Sequence, residues 1–574
     1  MLLQAALILA VCGAFVWVTR RRHRHGLFER HGVPGPKPDL LWGNWKQLKK
    51  DRIQVMDQWI QYYGKVFGIY LGDKPFMVVT DVGLIKECFI KATKVFQDRP
   101  MYAVEVEPLK TGLLLLRGDK WRKVRSVFNA CFSAGKVKEL FGIINGSITG
   151  LVQKFDEAAL YGDIVDAHEA SRGMVLEMIT KTVLGRETDR RKKSDDPVHK
   201  SFEVIFQEAD NALFESAFAY PGLRSILQCL YPFTSFCKAV QKVMEHTLII
   251  INKRRSGENE RKVDVLQHIL DAQEGVSNFP LTSSTNARFM DDHTLLCNIA
   301  VHIIAGFDTT SASLGFLLYL LAKHPEEQQK VRAEIERRLR GHTNSEVECD
   351  ISNFEEKREL EQKRCQPRDN VPGSSPSHSS DNPKNASQNS EYESLETKLA
   401  ERTDLPKALS HQRSEKSDLD EDEVMLLERL DMVVREGMRL YPAIPITVMR
   451  ECVEDTTIMG RFIPAGTSIF APPWHVHRNP EIWPEPNRFL PDRFSPTQRD
   501  SVACSYFPFG LGPRMCVAHR LAMVTLKTAL YRLIRNFEIS LAGDIPDPLP
   551  VFVDHVILNP AVPIKLRVKR IKLE

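Results

Sequence analysis

The stretch Phe507-Pro-Phe-Gly-Leu-Gly-Pro-Arg-Met-Cys516-Val-Ala-His-Arg-Leu521 decides how this chain folds. Its glycines and Pro513 cannot form a regular helix, whereas residues 517–537 carry helical periodicity. Cys516 therefore falls where an irregular loop meets a helix N-terminus, and there backbone N–H groups and the helix dipole stabilise a thiolate. Soft anionic sulfur suits iron, and Arg514 is placed to neutralise an anionic group nearby. A lone cysteine is ordinarily a small buried hydrophobe, and the other ten of the eleven are read that way. Their odd number, without a CxxC pair, speaks against a disulfide framework or a zinc site.

Outward from that loop, the chain has 574 residues, 43% hydrophobic and 26% charged. This globular balance excludes collagen, general disorder and a polytopic membrane protein. At roughly 150 residues per domain the length alone allows about four domains, yet no internal repeat appears. A net charge of +4 is too weak to argue for nucleic acid. The runs 66–71 and 76–80 flank Gly72-Asp-Lys-Pro75, a β-hairpin pattern. Amphipathic helices are expected near 115–132, 134–156, 170–184, 240–253 and 424–440, with an extended piece at 462–470. The fold class is mainly α with a minor β-sheet.

Both the N-terminus and one internal segment stand apart. Residues 2–18 are apolar except Gln4, and Arg20, Arg21, Arg22 and Arg24 follow. As a helix this run rises about 26 Å, enough for a short bilayer span. Its charge lies behind the apolar run, unlike a cleaved signal, and the positive-inside rule places the body in the cytosol. Residues 1–19 are thus expected to be a transmembrane anchor, 20–38 a basic, Pro-rich linker, and 39–574 the catalytic domain. The glycosylation patterns at Asn145 and Asn385 then fall on the wrong side of the membrane. Residues 341–420 hold only Phe354 and Tyr392 as aromatics, too little apolar surface to offset ordering, so a disordered insertion is expected there.

With these residues in view, the chain resembles the cytochromes P-450. Their haem-loop pattern, Phe-x-x-Gly-x-Arg-x-Cys-x-Gly, is met by Phe509, Gly512, Arg514 and Cys516, with Ala518 in place of the last glycine. The resemblance implies heme b as cofactor, Cys516 as axial ligand of its iron, and Arg514 paired with a haem propionate. It gives Trp121 and Arg125, one helical turn apart, and Arg450 as further propionate donors. Glu436, Arg439 and Arg493 become a buried structural cluster, with Asp492 where the family has Glu. Without the resemblance, Glu436 and Arg439 would read as a pair on a solvated helix face, and Trp121 and Arg125 as an amphipathic helix with a half-buried Trp.

Residues 294–322 are long and apolar enough to span a membrane, but a second span would separate Cys516 from cytosolic electron donors. The stretch resembles instead the family's central helix, with Asp308 and Thr309 relaying protons to dioxygen and Gly306 opening a groove. The aromatic stretch 213–236 would roof the site and dip into the bilayer, and loop 101–118 would close it opposite. Sequence around 430–434 and 462–466 resembles the drug- and steroid-hydroxylating third family and thromboxane synthase. A membrane monooxygenase of the endoplasmic reticulum is implied, acting on a lipophilic substrate with electrons from NADPH-cytochrome reductase and cytochrome b5. The rivals are a haem-thiolate isomerase, which needs no proton relay, and a haem sensor or carrier without turnover.

Overall fold

The computed structural model describes residues 2–100, 106–186, 200–202, 204–205, 224–257, 262–274, 290–340, 418–498, 502, 504–554 and 556–571. The chain divides into two compact units, 1–331 with 424–574, and 332–423. In the second, residues 332–340 are helical and Arg338 pairs with Glu423 at 3.7 Å. Residues 341–417 of the expected insertion lie outside the described residues, as does the first part of the aromatic stretch, 213–223.

Helix α1 (Leu2–His25) exposes its apolar side chains and continues through the arginine cluster, past the expected boundary at residue 19. The segment expected to be a linker is docked. Arg21 donates from Nε to Leu40 O at 2.8 Å, His25 Nε2 lies 2.9 Å from Gly72 O, and the Phe28 ring fills the space beside Gly68. A side chain at Gly68 would collide with that ring, which is 4% exposed.

The main sheet has the order β1-β2-β5-β4, from β1 (Val66–Leu71), β2 (Lys74–Val79), β4 (Val448–Glu451) and β5 (Ser468–Ala471). β1 and β2 form the expected hairpin in register Val66↔Val79 to Leu71↔Lys74. Its turn is tighter than expected, with Gly72 at φ +63°, and Pro75 lies within β2 beyond the pairing with β5. β1 is buried on both faces, which explains its unbroken apolar run. The extended piece at 462–470 splits at Gly466 (φ +81°): Arg461–Ile463 pairs with Thr456–Ile458, and the remainder becomes β5. A second sheet, β3-β7-β6, joins β3 (Val165–Asp166), β6 (Phe537–Leu541) and β7 (Lys565–Arg570).

The helices that position the site are α2 (Gly118–Cys131), α3 (Phe141–Tyr161), α4 (Ala167–Leu184), α5 (Ser235–Arg255), α6 (Asp292–Lys323), α7 (Glu428–Leu440) and α8 (His519–Asn536). The helix expected over 134–156 breaks at Leu140, where α3 begins. Asp291 starts α6 by accepting from Thr294 N at 2.7 Å. Its best membrane-like window is 72% buried, against 0% for α1, so α6 is a core helix. Leu314, Leu317, Leu318 and Leu321 are at most 1% exposed, each contributing about 2 kcal/mol by burial. α6 crosses α4 closely because Gly306 faces Ile179 and Gly315 faces His168; an added Cβ would lie 3.0 and 3.3 Å from them. Gly306 thus serves this crossing.

Candidate active site around Cys516

The loop before α8 is shaped by glycine. Gly510 and Gly512 hold φ of +77° and +67°, and a side chain at Gly512 would also strike the Phe89 carbonyl. The turn this allows lets Cys516 N donate to Phe509 O at 2.9 Å and Met515 N to Gly512 O at 3.0 Å. α8 starts at His519, later than the periodicity suggested. Ala518, in place of the pattern's glycine, holds φ −95°, a conformation open to any residue.

Cys516 is an exposed residue, yet burial among protein pushes its thiol up. Both observations fit a side chain that faces an internal hollow. The Ala518 N–H and the positive charges of Arg125 and Arg99 oppose the burial and favour the thiolate.

Cations crowd this hollow. Arg514, 3% exposed, donates from Nη2 to Asp98 Oδ1 at 2.6 Å and Leu116 O at 2.7 Å, and from Nε to Gln97 O at 3.1 Å. Its Nη1 lies 3.5 Å from Leu113 O. Of five guanidinium N–H groups, one is left for a ligand. Burial and then Arg99 push its pKa down to about 9. Arg450, 1% exposed, donates to Met449 O at 2.7 Å and Leu511 O at 2.6 Å; burial and repulsion from Arg99, Arg514 and Arg125 hold it well below its usual value. Arg99 donates to Leu114 O and Arg514 O. Among the described residues, the buried Arg125 Nε has no hydrogen-bond partner. Buried cations that repel one another call for an anion. A porphyrin with two carboxylates and an axial thiolate supplies one, so these residues fit haem.

One stripe of α6 faces the same region. Asn298 Oδ1 accepts from Leu113 N at 2.7 Å. His302 lies flat on Phe128 of α2, centroids 4.3 Å apart and planes 9° apart, and its Nδ1 is 2.7 Å from Asn298 O. Burial, then Arg125, lowers its pKa to about 4. Next along the stripe come Ala305, which is exposed midway along the largely buried helix, and Thr309, whose hydroxyl donates to Ala305 O at 2.7 Å. Asp308 turns towards α4, where Oδ1 meets Arg172 Nη1 at 2.9 Å and the Arg172 guanidinium lies 4.6 Å over the Phe307 ring.

The remaining expected cluster is assembled away from the sulfur. Glu436 and Arg439 are both fully buried and joined by two bonds of 2.7 and 2.8 Å; Arg493 Nε lies 3.4 Å from Glu436 Oε1. Leu490 N also donates to Glu436 at 2.9 Å, and Arg439 to the carbonyls of His477 and Pro486. Asp98, Arg99, Arg172 and His302 escaped the sequence reading, because their roles rest on contacts across long separations. The only signal was Asp98-Arg99 beside a proline in a loop.

A family model described as "Cytochrome P450" matches residues 33–353 and 402–568. Among curated proteins, "Cytochrome P450 3A29" of Sus scrofa is 28% identical over 562 residues, covering 95% of this chain and 93% of its own. "Cytochrome P450 3A6" of Oryctolagus cuniculus is 29% identical over 548 residues, with the same coverage of 95% and 93%.

Proposed function

The chain belongs to the cytochrome P-450 family, and from that premise we propose a membrane-anchored enzyme that hydroxylates a lipophilic small molecule with NADPH-derived electrons. Membership makes it a haem-thiolate monooxygenase that takes electrons from a redox partner. When bound, the haem supplies dioxygen activation, with the thiolate pushing electron density onto iron.

In this reading Cys516 holds the iron, and the Ala518 N–H favours the anionic form of its sulfur against the effect of burial. Arg99, Arg125 and Arg450 hold the carboxylates of the cofactor, and an anion there offsets the mutual repulsion of these cations. Arg514 keeps one N–H for the same purpose and mainly ties the loop to Asp98. Trp121 supports it from below, its ring 4.0 Å from the guanidinium. Phe509 and Gly512 shape the loop. Thr309 offers a hydroxyl on the accessible stripe of α6, and Asp308, paired with Arg172, carries protons inward from the partly exposed side of α4.

NADPH-cytochrome reductase, with cytochrome b5 as a second donor, is the proposed electron source. Exposed Arg122 and Lys123 on α2 would meet their acidic faces. The apolar, exposed α1 supports anchoring in the endoplasmic reticulum with the body in the cytosol.

The exposed Cys516, under the influence of arginines that repel one another, carries the reading. The test is the carbon monoxide difference spectrum of the reduced protein, followed by NADPH-dependent turnover of a lipophilic panel with reductase. A thiolate-type band and product are expected. Absence of the band in haem-loaded protein overturns the ligand assignment.

A further inference from the structure

Three side chains outside the haem site converge where loop 106–116 meets the first turns of α6. Cys297, fully buried, lies 3.5 Å through Sγ from Glu107 Oε2 and 3.9 Å from both ring nitrogens of His293. All three donor atoms fall within 4.8 Å of one another. His293 and Cys297 share one face of α6 at i and i+4, and Glu107 reaches them from the loop.

These separations have a chemical meaning. Zinc binds sulfur at about 2.3 Å and nitrogen or oxygen at about 2.0–2.1 Å in tetrahedral geometry, which sets its ligands about 3.5 Å apart. The sulfur-to-oxygen distance already matches, whereas the sulfur lies equally far from both ring nitrogens, so the exposed imidazole must turn to aim one of them at the metal. Thiolate, imidazole and carboxylate together favour zinc over the hard cations calcium and magnesium. Glu107 is already aimed: Thr111 Oγ1 donates to its Oε1 at 2.7 Å and Thr111 N to its Oε2 at 3.2 Å, while the Tyr231 hydroxyl donates to its backbone carbonyl. Such outer bonds fix a ligand's orientation.

We propose that Glu107, His293 and Cys297 form a zinc site, with water as fourth ligand, that clamps loop 106–116 onto α6. The loop carries the carbonyls of Leu113, Leu114 and Leu116, which hold Arg514 and Arg99. Zinc at this point therefore stiffens one wall of the haem hollow. Binding exchanges the thiol proton for the metal: Cys297–SH and Zn2+ give Cys297–S–Zn and a released proton, with no change of oxidation state. Because the thiol gives up its proton on binding, affinity falls as pH falls. Spacing of cysteines alone gave no hint of the site, since its third ligand is 186 residues from His293 in the sequence.

The test uses the full-length haem protein, dialysed against a chelator and then equilibrated with zinc chloride. Wild type is expected to retain one zinc per chain, with one sulfur in its coordination shell by zinc-edge X-ray absorption. Cys297→Ser and the exposed His293→Ala are each expected to weaken binding on the order of 100-fold. Amide hydrogen exchange in 106–116 should slow on adding zinc to wild type and stay unchanged in both variants. Equal zinc retention by the variants, or a wild-type shell without sulfur, overturns the site. Zinc bound through sulfur with unchanged exchange in the loop overturns the clamp. Neither readout depends on turnover, so failure of the monooxygenase reading would leave them intact.

Discussion

The guanidinium of Arg514 lies 4.0 Å above the indole of Trp121. This contact joins the cysteine loop to α2. The arginine is locked from the other side by Asp98, itself 8% exposed. The loop is therefore fixed by protein contacts, and the cofactor meets a preformed seat.

Replacing Asp98 with Ala leaves Arg514 buried without that carboxylate and also removes a partner of Arg117. Breaking a buried pair on one side costs about 3–5 kcal/mol. The expected outcome is a lowered melting temperature and several-fold faster haem release, followed by absorbance during transfer to apomyoglobin. Unchanged release would show that Trp121 and the loop carbonyls hold Arg514 alone.

Thr309→Ala is expected to keep haem and NADPH consumption while product per NADPH falls and hydrogen peroxide rises. Losing a positioned proton donor slows the step it serves on the order of 10²-fold or more. Parallel assay of NADPH, product and peroxide decides this. A haem-thiolate isomerase would instead need no NADPH, and its turnover of a peroxide substrate would survive the change.

His302 gives a pH signature. Its folded pKa of about 4 lies below the usual 6.5, so the unfolded chain binds more protons in between. Its contribution is fully present above about pH 6.5 and is lost as pH falls towards 4. His302→Phe keeps a flat ring against Phe128 and removes the titration. The melting temperature of the variant should fall less between about pH 7 and pH 5 than that of wild type. Parallel pH profiles would assign the effect to other groups.

Deleting residues 345–416 should leave haem content and turnover nearly unchanged. The family match skips 354–401, and loop closure costs grow only with the logarithm of length. Loss of haem in the shortened chain would make the segment part of the folded body.

Local chemistry was legible. The glycines fix the cysteine loop, the apolar runs and turn residues fix the hairpin, and the helical periods fix α2, α4 and α6 to within a few residues. Partners across long separations were not. Nothing near Arg514 in the sequence announces Asp98, and nothing near Asp308 announces Arg172, because helix crossing angles choose those neighbours. Leu140 breaks a continuous amphipathic pattern for the same reason. The stretch 20–38 looked like a tether by its charge and prolines, yet Phe28 finds a pocket that only Gly68 on β1 leaves open.

That last fit changes how the body is mounted. With α1 unbroken to His25 and Phe28 plugged beside Gly68, the N-terminal helix acts as a stiff post bolted to the sheet. Any force on the post would be passed to the sheet. A soluble form cut after residue 30 would pull the plug along with the post. One cut at residue 19 would keep the bolts and lose only the apolar stretch.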